Sequence, residues 1–454
     1  MTPSITMARL GLLVLLLCQQ GLALAQQPPQ ASGVAWGYKV KPGDRLVDIA
    51  KTYQKTPEQW KKLQQRNGVT DPKLLQPGKL LNIPVAELKQ GDPVAEAVLV
   101  HGEVLRLDTS GQAAGKLSSG DRLKMGDTLQ TGSRSTLTIR FADDSRMLVT
   151  EKSTLTMTSL LNYGKTGMAE TKVQVHAGGT DSQVSPQKGP AARYEITTPA
   201  INLAVRGTGF RIQVDGTSGI TRTEVGEGLV AGNAANGQAL IGNGFGLIAE
   251  PGKPLSQPQA LLPAPRLDDT PNNIRKLPAQ FSWHVLEGAQ HYRLQLLARI
   301  QGNDAIIVDE MLQTPSVQWD DLPDGDYVMR IRGVHASGLE GQNATQTFKL
   351  HTKPEPPRLA LPQDGSLSSQ AKITFRWEPA PAAHSYRFQL AQDAAFQQTL
   401  ALVPNIADST HAVLLALPHG QYYWRVASVT SAGSIGPYSD AFSLTLQPGI
   451  GHGD

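Results

Sequence analysis

The chain has 454 residues, 40% hydrophobic and 18% charged, a length that points to roughly three or four domains rather than one core. Its net charge of +3 is unevenly spread: residues 33–89 carry 11 Lys and Arg against 5 Asp and Glu, while residues 90–454 carry 30 against 34. A single cysteine, Cys18, leaves no cysteine for thiol catalysis, thiolate metal sites or disulfides once the first 25 residues are removed.

Residues 1–25 read as a cleavable export signal. Arg9 precedes the apolar run 10–17, and Ala23-Leu24-Ala25 has the small-residue pattern of a cleavage site. Leu17 before Cys18 is not the small residue a lipoprotein signal wants, so cleavage after Ala25 is expected rather than lipidation. No other stretch approaches the apolar length of a membrane span, which predicts no transmembrane span in the mature chain. Residues 26–35 (QQPPQASGVA) form a polar, proline-rich linker.

Residues 38–84 order themselves as β-α-α-β. Tyr38 and Val40 alternate, and Pro42-Gly43-Asp44 makes a turn. Leu46, Ile49, Ala50 and Tyr53 then recur at helical spacing, with Asp44 expected as N-cap. Thr56 and Pro57 begin a second helix bearing Trp60 and Leu63. Asn67-Gly68 ends it, and Leu80, Leu81 and Ile83 return as a strand. The Lys and Arg of this stretch suit an anionic polymer, although Lys51, Lys55, Lys61 and Lys62 also fit a solvated helix face.

The wording Y-x-V-x-x-G-D-x-L-x-x-I-A, then N-G, then L-x-P-G-x-x-L-x-I-P resembles a LysM domain over its full length, here residues 36–87. The resemblance implies binding of N-acetylglucosamine-containing glycan, chiefly peptidoglycan, between two loops. Those loops are Gly43, Asp44, Arg45 and Leu46 on one side and Val69, Thr70, Asp71 and Pro72 on the other. Backbone amides and short polar groups would meet the acetamido groups, with Leu46 and Val69 as an apolar floor. Arg45 departs from the family's usual Thr or Ser: it either pairs with muramyl or stem-peptide carboxylates or obstructs the groove. Turn and cap chemistry alone also accounts for Gly43, Asp44 and Asn67.

From residue 94 to 250 the period switches to two. Leu137, Ile139 and Phe141 share one face, as do Ile201, Leu203 and Val205, and then Phe210, Ile212 and Val214. Turn signals at Ser119-Gly120-Asp121, Met125-Gly126-Asp127 and Asp143-Asp144-Ser145 complete an all-β domain. The stretches at 123–145, 194–210 and 224–230 resemble a FecR domain. The best-known FecR members relay signals in the periplasm, and they carry a cytoplasmic segment and membrane helix that this sequence does not match. Residues 178–191 read as a mobile loop, and Gly207 and Gly209 as a bulge or a close approach.

Residues 251–265 are a proline-rich linker. Beyond it FSWHVLEGAQHYRLQL (281–296) realigns with FRWEPAPAAHSYRFQL (375–390), and LPDGDYVMRIRGV (322–334) with LPHGQYYWRVASV (417–429), at offsets of 94 and 95. L-P-x-G-x-Y is the wording of a tyrosine corner, so Tyr327 and Tyr422 are expected to bond back to the backbone. Residues 266–352 and 353–447 thus resemble two fibronectin type III domains, with Trp283 and Trp377 in their cores; residues 448–454 are a tail.

Catalytic wording is missing. None of the ten His forms H-E-x-x-H or H-x-H, and neither G-x-S-x-G nor a phosphate-binding Gly loop occurs. Asp320 to Asp326 imitates a Ca²⁺ loop but lacks its twelfth-place Glu. A glycan-cleaving acid pair need not be close in sequence and is the least favoured reading. The expectation is a mainly β, multidomain, non-enzymatic periplasmic protein needing no cofactor. It would bind peptidoglycan and an envelope protein partner but no nucleic acid; an envelope sensor acting through the FecR-like domain is the alternative.

Overall fold

The computed structural model describes residues 33–92, 95–269, 271–300, 302–369, 372–414 and 417–448. The export signal, its cleavage site, Cys18, most of the first linker and most of the tail lie outside the described residues. Among the described residues no helix is long and apolar enough to cross a membrane. The chain divides into two compact units. Of the described residues, the first holds 33–92 with Leu161–Glu170 and Gln187–Arg193, and the second holds the others.

The first unit contains β1 (Ala35–Lys39), α1 (Leu46–Tyr53), α2 (Trp60–Arg66) and β2 (Leu80–Pro84). β1 and β2 pair antiparallel, with Tyr38 opposite Leu81. The helical spacing does what it predicts: Leu46, Ile49, Ala50 and Leu63 pack with Leu81 and Ile83 in one core. That core is not closed by the β-α-α-β residues alone. Tyr163, Met168 and Ala191, from the two distant segments, are buried in it. Residues 178–191 are accordingly not a free loop. Residues as far as Gln183 belong to a 15-residue strand, Ala169–Gln183, and Ala191 is core.

In the second unit, the FecR-like stretch forms two hydrogen-bonded layers. One runs Ala95–His101, Thr136–Phe141, Arg146–Val149, Ala169–Gln183, Gly209–Val214, Thr221–Glu227 and Phe245–Ala249. The other is built around Val104–Leu107, Thr128–Thr131 and Thr154–Asn162, and around Asn202–Val205, Leu229–Ala234 and Gly237–Gly242. The alternating apolar residues meet between them, with Phe141, Tyr194 and Phe210 in edge-on contact at 5.7 and 6.5 Å. Gly207 takes φ +60°, and the register slips at Gly209/Phe210, which is the expected bulge.

The two C-terminal copies are sandwiches. The first sets a five-stranded sheet against a two-stranded one, and the second sets a larger sheet against a three-stranded one. Trp283 and Trp377 are buried, with ring centres 5.4 and 5.5 Å from Tyr292 and Tyr386. Both tyrosine corners form: Tyr327 Oη donates to Pro323 O at 2.6 Å and Tyr422 Oη to Pro418 O at 2.7 Å. Asp324, one of the four acids of the Ca²⁺-like run, accepts from the backbone N–H of Thr352 and Lys353, so its carboxylate is engaged in holding the segment after the last strand of the first sandwich.

Candidate functional site

The turn before α1 has Pro42 second and Gly43 third, and Gly43 adopts φ +85°, the positive angle that a type II turn requires there. A Cβ on Gly43 would meet nothing, so backbone conformation alone demands glycine. Asp44 is not the helix N-cap. Arg45 occupies that place without a side-chain cap bond, and Asp44 Oδ2 instead accepts the Tyr38 hydroxyl at 2.8 Å and the Lys41 N–H at 2.7 Å. The turn is so tight that this carboxylate is spent on holding it. Burial, then the bond to Asp44, pushes the Tyr38 hydroxyl well above its ordinary pKa, so the phenol stays a donor.

Thr56, likewise, makes no side-chain cap bond; it precedes a short 3-10 turn, Pro57–Gln59, that leads into α2. The second loop follows α2. Asn67 closes the helix and Gly68 turns with φ +55°. Val69 is held on both sides by Gln64, whose backbone O accepts its N–H at 3.1 Å and whose side chain donates to its O at 2.9 Å. Asp71 Oδ1 accepts from Lys73 N at 2.8 Å, tightening the turn beyond.

The two loops meet. The backbone N–H of Leu46 donates to Pro72 O at 2.9 Å, drawing Gly43, Asp44, Arg45 and Leu46 beside Val69, Thr70, Asp71 and Pro72. Gly43, Arg45, Thr70 and Asp71 are exposed, whereas Leu46 is wholly buried and Val69 nearly so. The expected apolar floor is therefore corrected: both side chains are spent on the core, and the Leu46 N–H is spent on Pro72 O. Arg45 bonds Asp48 at 2.6 Å, one turn along α1, and its side chain is 63% exposed. Reasoning from sequence missed Leu74, which is 80% exposed where Leu75 is buried. Its N–H bonds Asp71 O at 3.3 Å, placing an apolar side chain at the loop's end. The signal was the Leu-Leu pair, of which only one member can face the core.

Family models match the LysM domain over residues 38–84 and the FecR protein over residues 127–231. The chain carries a LysM domain and a FecR domain. Neither is an enzymatic family, and both are typical of envelope proteins. A curated relative, an uncharacterized protein of Treponema pallidum (strain Nichols), is 25% identical over 186 residues, 38% of this chain. The matched part spans 28% of that relative's length. Among solved structures, a candidate anti-sigma factor from Parabacteroides distasonis is 10% identical, covers 29% of this chain and 59% of its own, and has a TM-score of 0.26. A two-domain fibronectin type III segment of chicken tenascin is 13% identical, covers 41% of this chain and 99% of its own, and has a TM-score of 0.24. The sandwich fold stands on strand order and on the two tyrosine corners.

Within the second unit the FecR sheet meets the first sandwich through buried charge. Arg211 donates to Glu340 O at 3.1 Å and Gly341 O at 2.7 Å, and Glu224 accepts from Glu340 N at 3.2 Å. Arg211 and Glu224 stand 3.9 Å apart, too far for a hydrogen bond, and Arg211 Nε is buried with no hydrogen-bond partner among the described residues. Burial therefore outweighs the attraction of Arg211 and pushes Glu224 up to about 7. Burial works against the Glu340 carboxylate too, but Arg332, Arg211 and Arg293 outweigh it and hold that group below its ordinary value. Among the described residues no group of three or more His, Cys, Asp or Glu is placed to hold a metal ion.

Proposed function

We propose that this protein binds peptidoglycan in the periplasm through the loops at Gly43 and Thr70, without turning it over, and that its β modules serve contact with another envelope protein. The observation that carries the reading is the Leu46 N–H to Pro72 O bond, which joins the two loops of a matched LysM domain into one exposed strip. The strip offers the short, exposed polar side chains of Thr70 and Asp71, a chemistry that suits acetamido sugars. The net positive charge of residues 33–89 favours an anionic polymer.

Co-sedimentation of the exported chain with purified sacculi tests it. Pelleting without release of soluble fragments is expected. The double substitution Thr70→Glu/Lys73→Glu, at exposed positions, is expected to weaken it about tenfold or more by setting like charge against the polymer's carboxylates. A wild-type chain that stays in the supernatant would sink the anchoring role, and released muropeptides would reinstate the hydrolase. A second reading, envelope signalling through the FecR domain, is favoured by the match over residues 127–231. Since the first sandwich occupies the sheet face bearing Arg211 and Glu224, a signalling partner would use another surface.

A further inference from the structure

The two sandwiches carry the same outward-facing triad with different fates. The repeat aligns Arg293, Gln295 and Arg330 with Arg387, Gln389 and Arg425. The pairing is the same in both copies: Gln295 lies opposite Arg330, and Gln389 opposite Arg425. In the first copy the triad is saturated with carboxylate. Arg293 forks onto Asp309, with Nη2 at 2.7 Å, and Gln295 donates to the same group at 3.1 Å. Arg330 donates to Asp181 of the FecR domain at 3.3 Å. This is the face that the FecR sheet covers.

In the second copy both carboxylates are gone. The residue opposite Gln295 is Asp309, whereas the residue opposite Gln389 is Leu402, which is 53% exposed. Arg387 Nε is buried and has no hydrogen-bond partner among the described residues. Arg425 donates to Gln389 Oε1 at 2.8 Å, and its guanidinium lies 3.8 Å from the Phe396 ring centre and 4.3 Å from that of Tyr438. Phe396 holds φ +57°, an uncommon and costly angle for a bulky residue, in a turn fixed by the Asp393 carboxylate. The rings orient Arg425 without neutralising it. It also lines a cleft of about 560 Å³ with Arg275, Lys276 and Asp440, the last two paired with each other, so the net charge of these four is positive.

We propose that the face formed by Arg387, Gln389, Arg425 and Leu402 docks a partner protein through an acidic β-surface. A partner carboxylate meets the guanidiniums as Asp181 meets Arg330, and an apolar side chain covers Leu402. Charge complementarity and the internal copy both point to this occupant: it supplies what Asp309 and Asp181 supply one repeat earlier. The inference rests on the reading that the β modules contact a protein, and it specifies which surface does so.

A photo-reactive benzoylphenylalanine at Leu400, 40% exposed and two residues from Leu402, tests this in the full chain; Val285, 79% exposed on the first sandwich, serves as control position. An adduct from position 400 and not 285 is expected, its cross-linked peptide carrying Asp or Glu. Its yield should fall about tenfold in Arg387→Glu/Arg425→Glu and recover when the partner's acid is replaced by Arg. Should that variant melt early, Arg387→Gln/Arg425→Gln replaces it, with a smaller loss expected. No adduct, an adduct indifferent to these charges, or an adduct to a second copy of this chain overturns the proposal. Sacculus pelleting by the same variants stays at the wild-type level, so failure here is separable from failure of wall binding.

Discussion

Asn67 shows how one side chain ties local to distant structure. Its amide donates to Leu63 O at 2.9 Å and Asn82 O at 3.1 Å, and its Oδ1 accepts from Asn82 N at 2.7 Å, so the end of α2 is fastened to β2. Asn67→Ala removes all three and is expected to cost about 1–2 kcal/mol, read as an earlier thermal midpoint. An unchanged midpoint would mean water replaces these bonds at no loss. The Asn-Gly wording announced a helix end, but not this second duty, because the strand it fastens arrives 15 residues later. Asp44 illustrates the opposite slip. An acid before a helix normally caps it, yet here the Tyr38 hydroxyl and Lys41 N–H compete for the carboxylate and win.

At the scale of elements, the tyrosine corners are the firmest link from wording to geometry. In each copy L-P-x-G-x-Y places the Tyr hydroxyl on the Pro carbonyl four residues back. Tyr327→Phe and Tyr422→Phe keep the buried ring and lose only the bond, so each should destabilise its own sandwich by about 1 kcal/mol, with little effect on the other. Denaturant unfolding followed by Trp fluorescence checks this; a much larger loss would show that the hydroxyl also organises neighbouring packing. The β-α-α-β order was legible because 3.6-residue and two-residue periods are properties of the chain itself. The apolar floor expected of Leu46 and Val69 was not legible, since the pattern shows that a residue is apolar but not whether the core or a ligand claims it.

For the whole molecule, the junction between the FecR sheet and the first sandwich predicts a pH dependence. Burial pushes the Glu224 carboxyl up to about 7 in the folded state, against an ordinary value of 4.5 in the unfolded chain. The folded state therefore holds the extra proton between those values, and the stability this contributes is present below about pH 4.5 and lost as pH rises to 7. Glu340 is shifted the other way, so its loss of stability falls below pH 4.5 and outside that window. Glu224→Gln should flatten the decline in melting temperature between pH 5 and 8. An unchanged slope would mean that Glu224 stays ionised throughout, paired more closely with Arg211 than 3.9 Å implies.

The sequence by itself determined the kinds of module and their order. Periodicity, turn residues and repeated wording are local properties, and they survive without knowledge of what packs on what. Only the tertiary structure decided which residues finish each core and which faces remain open. Tyr163, Met168 and Ala191 complete a core whose other members lie some hundred residues earlier. Arg330 finds a carboxylate where its repeat equivalent Arg425 finds two aromatic rings. Ion pairing and burial depend on approach in space, and a chain read in one dimension carries no record of that approach.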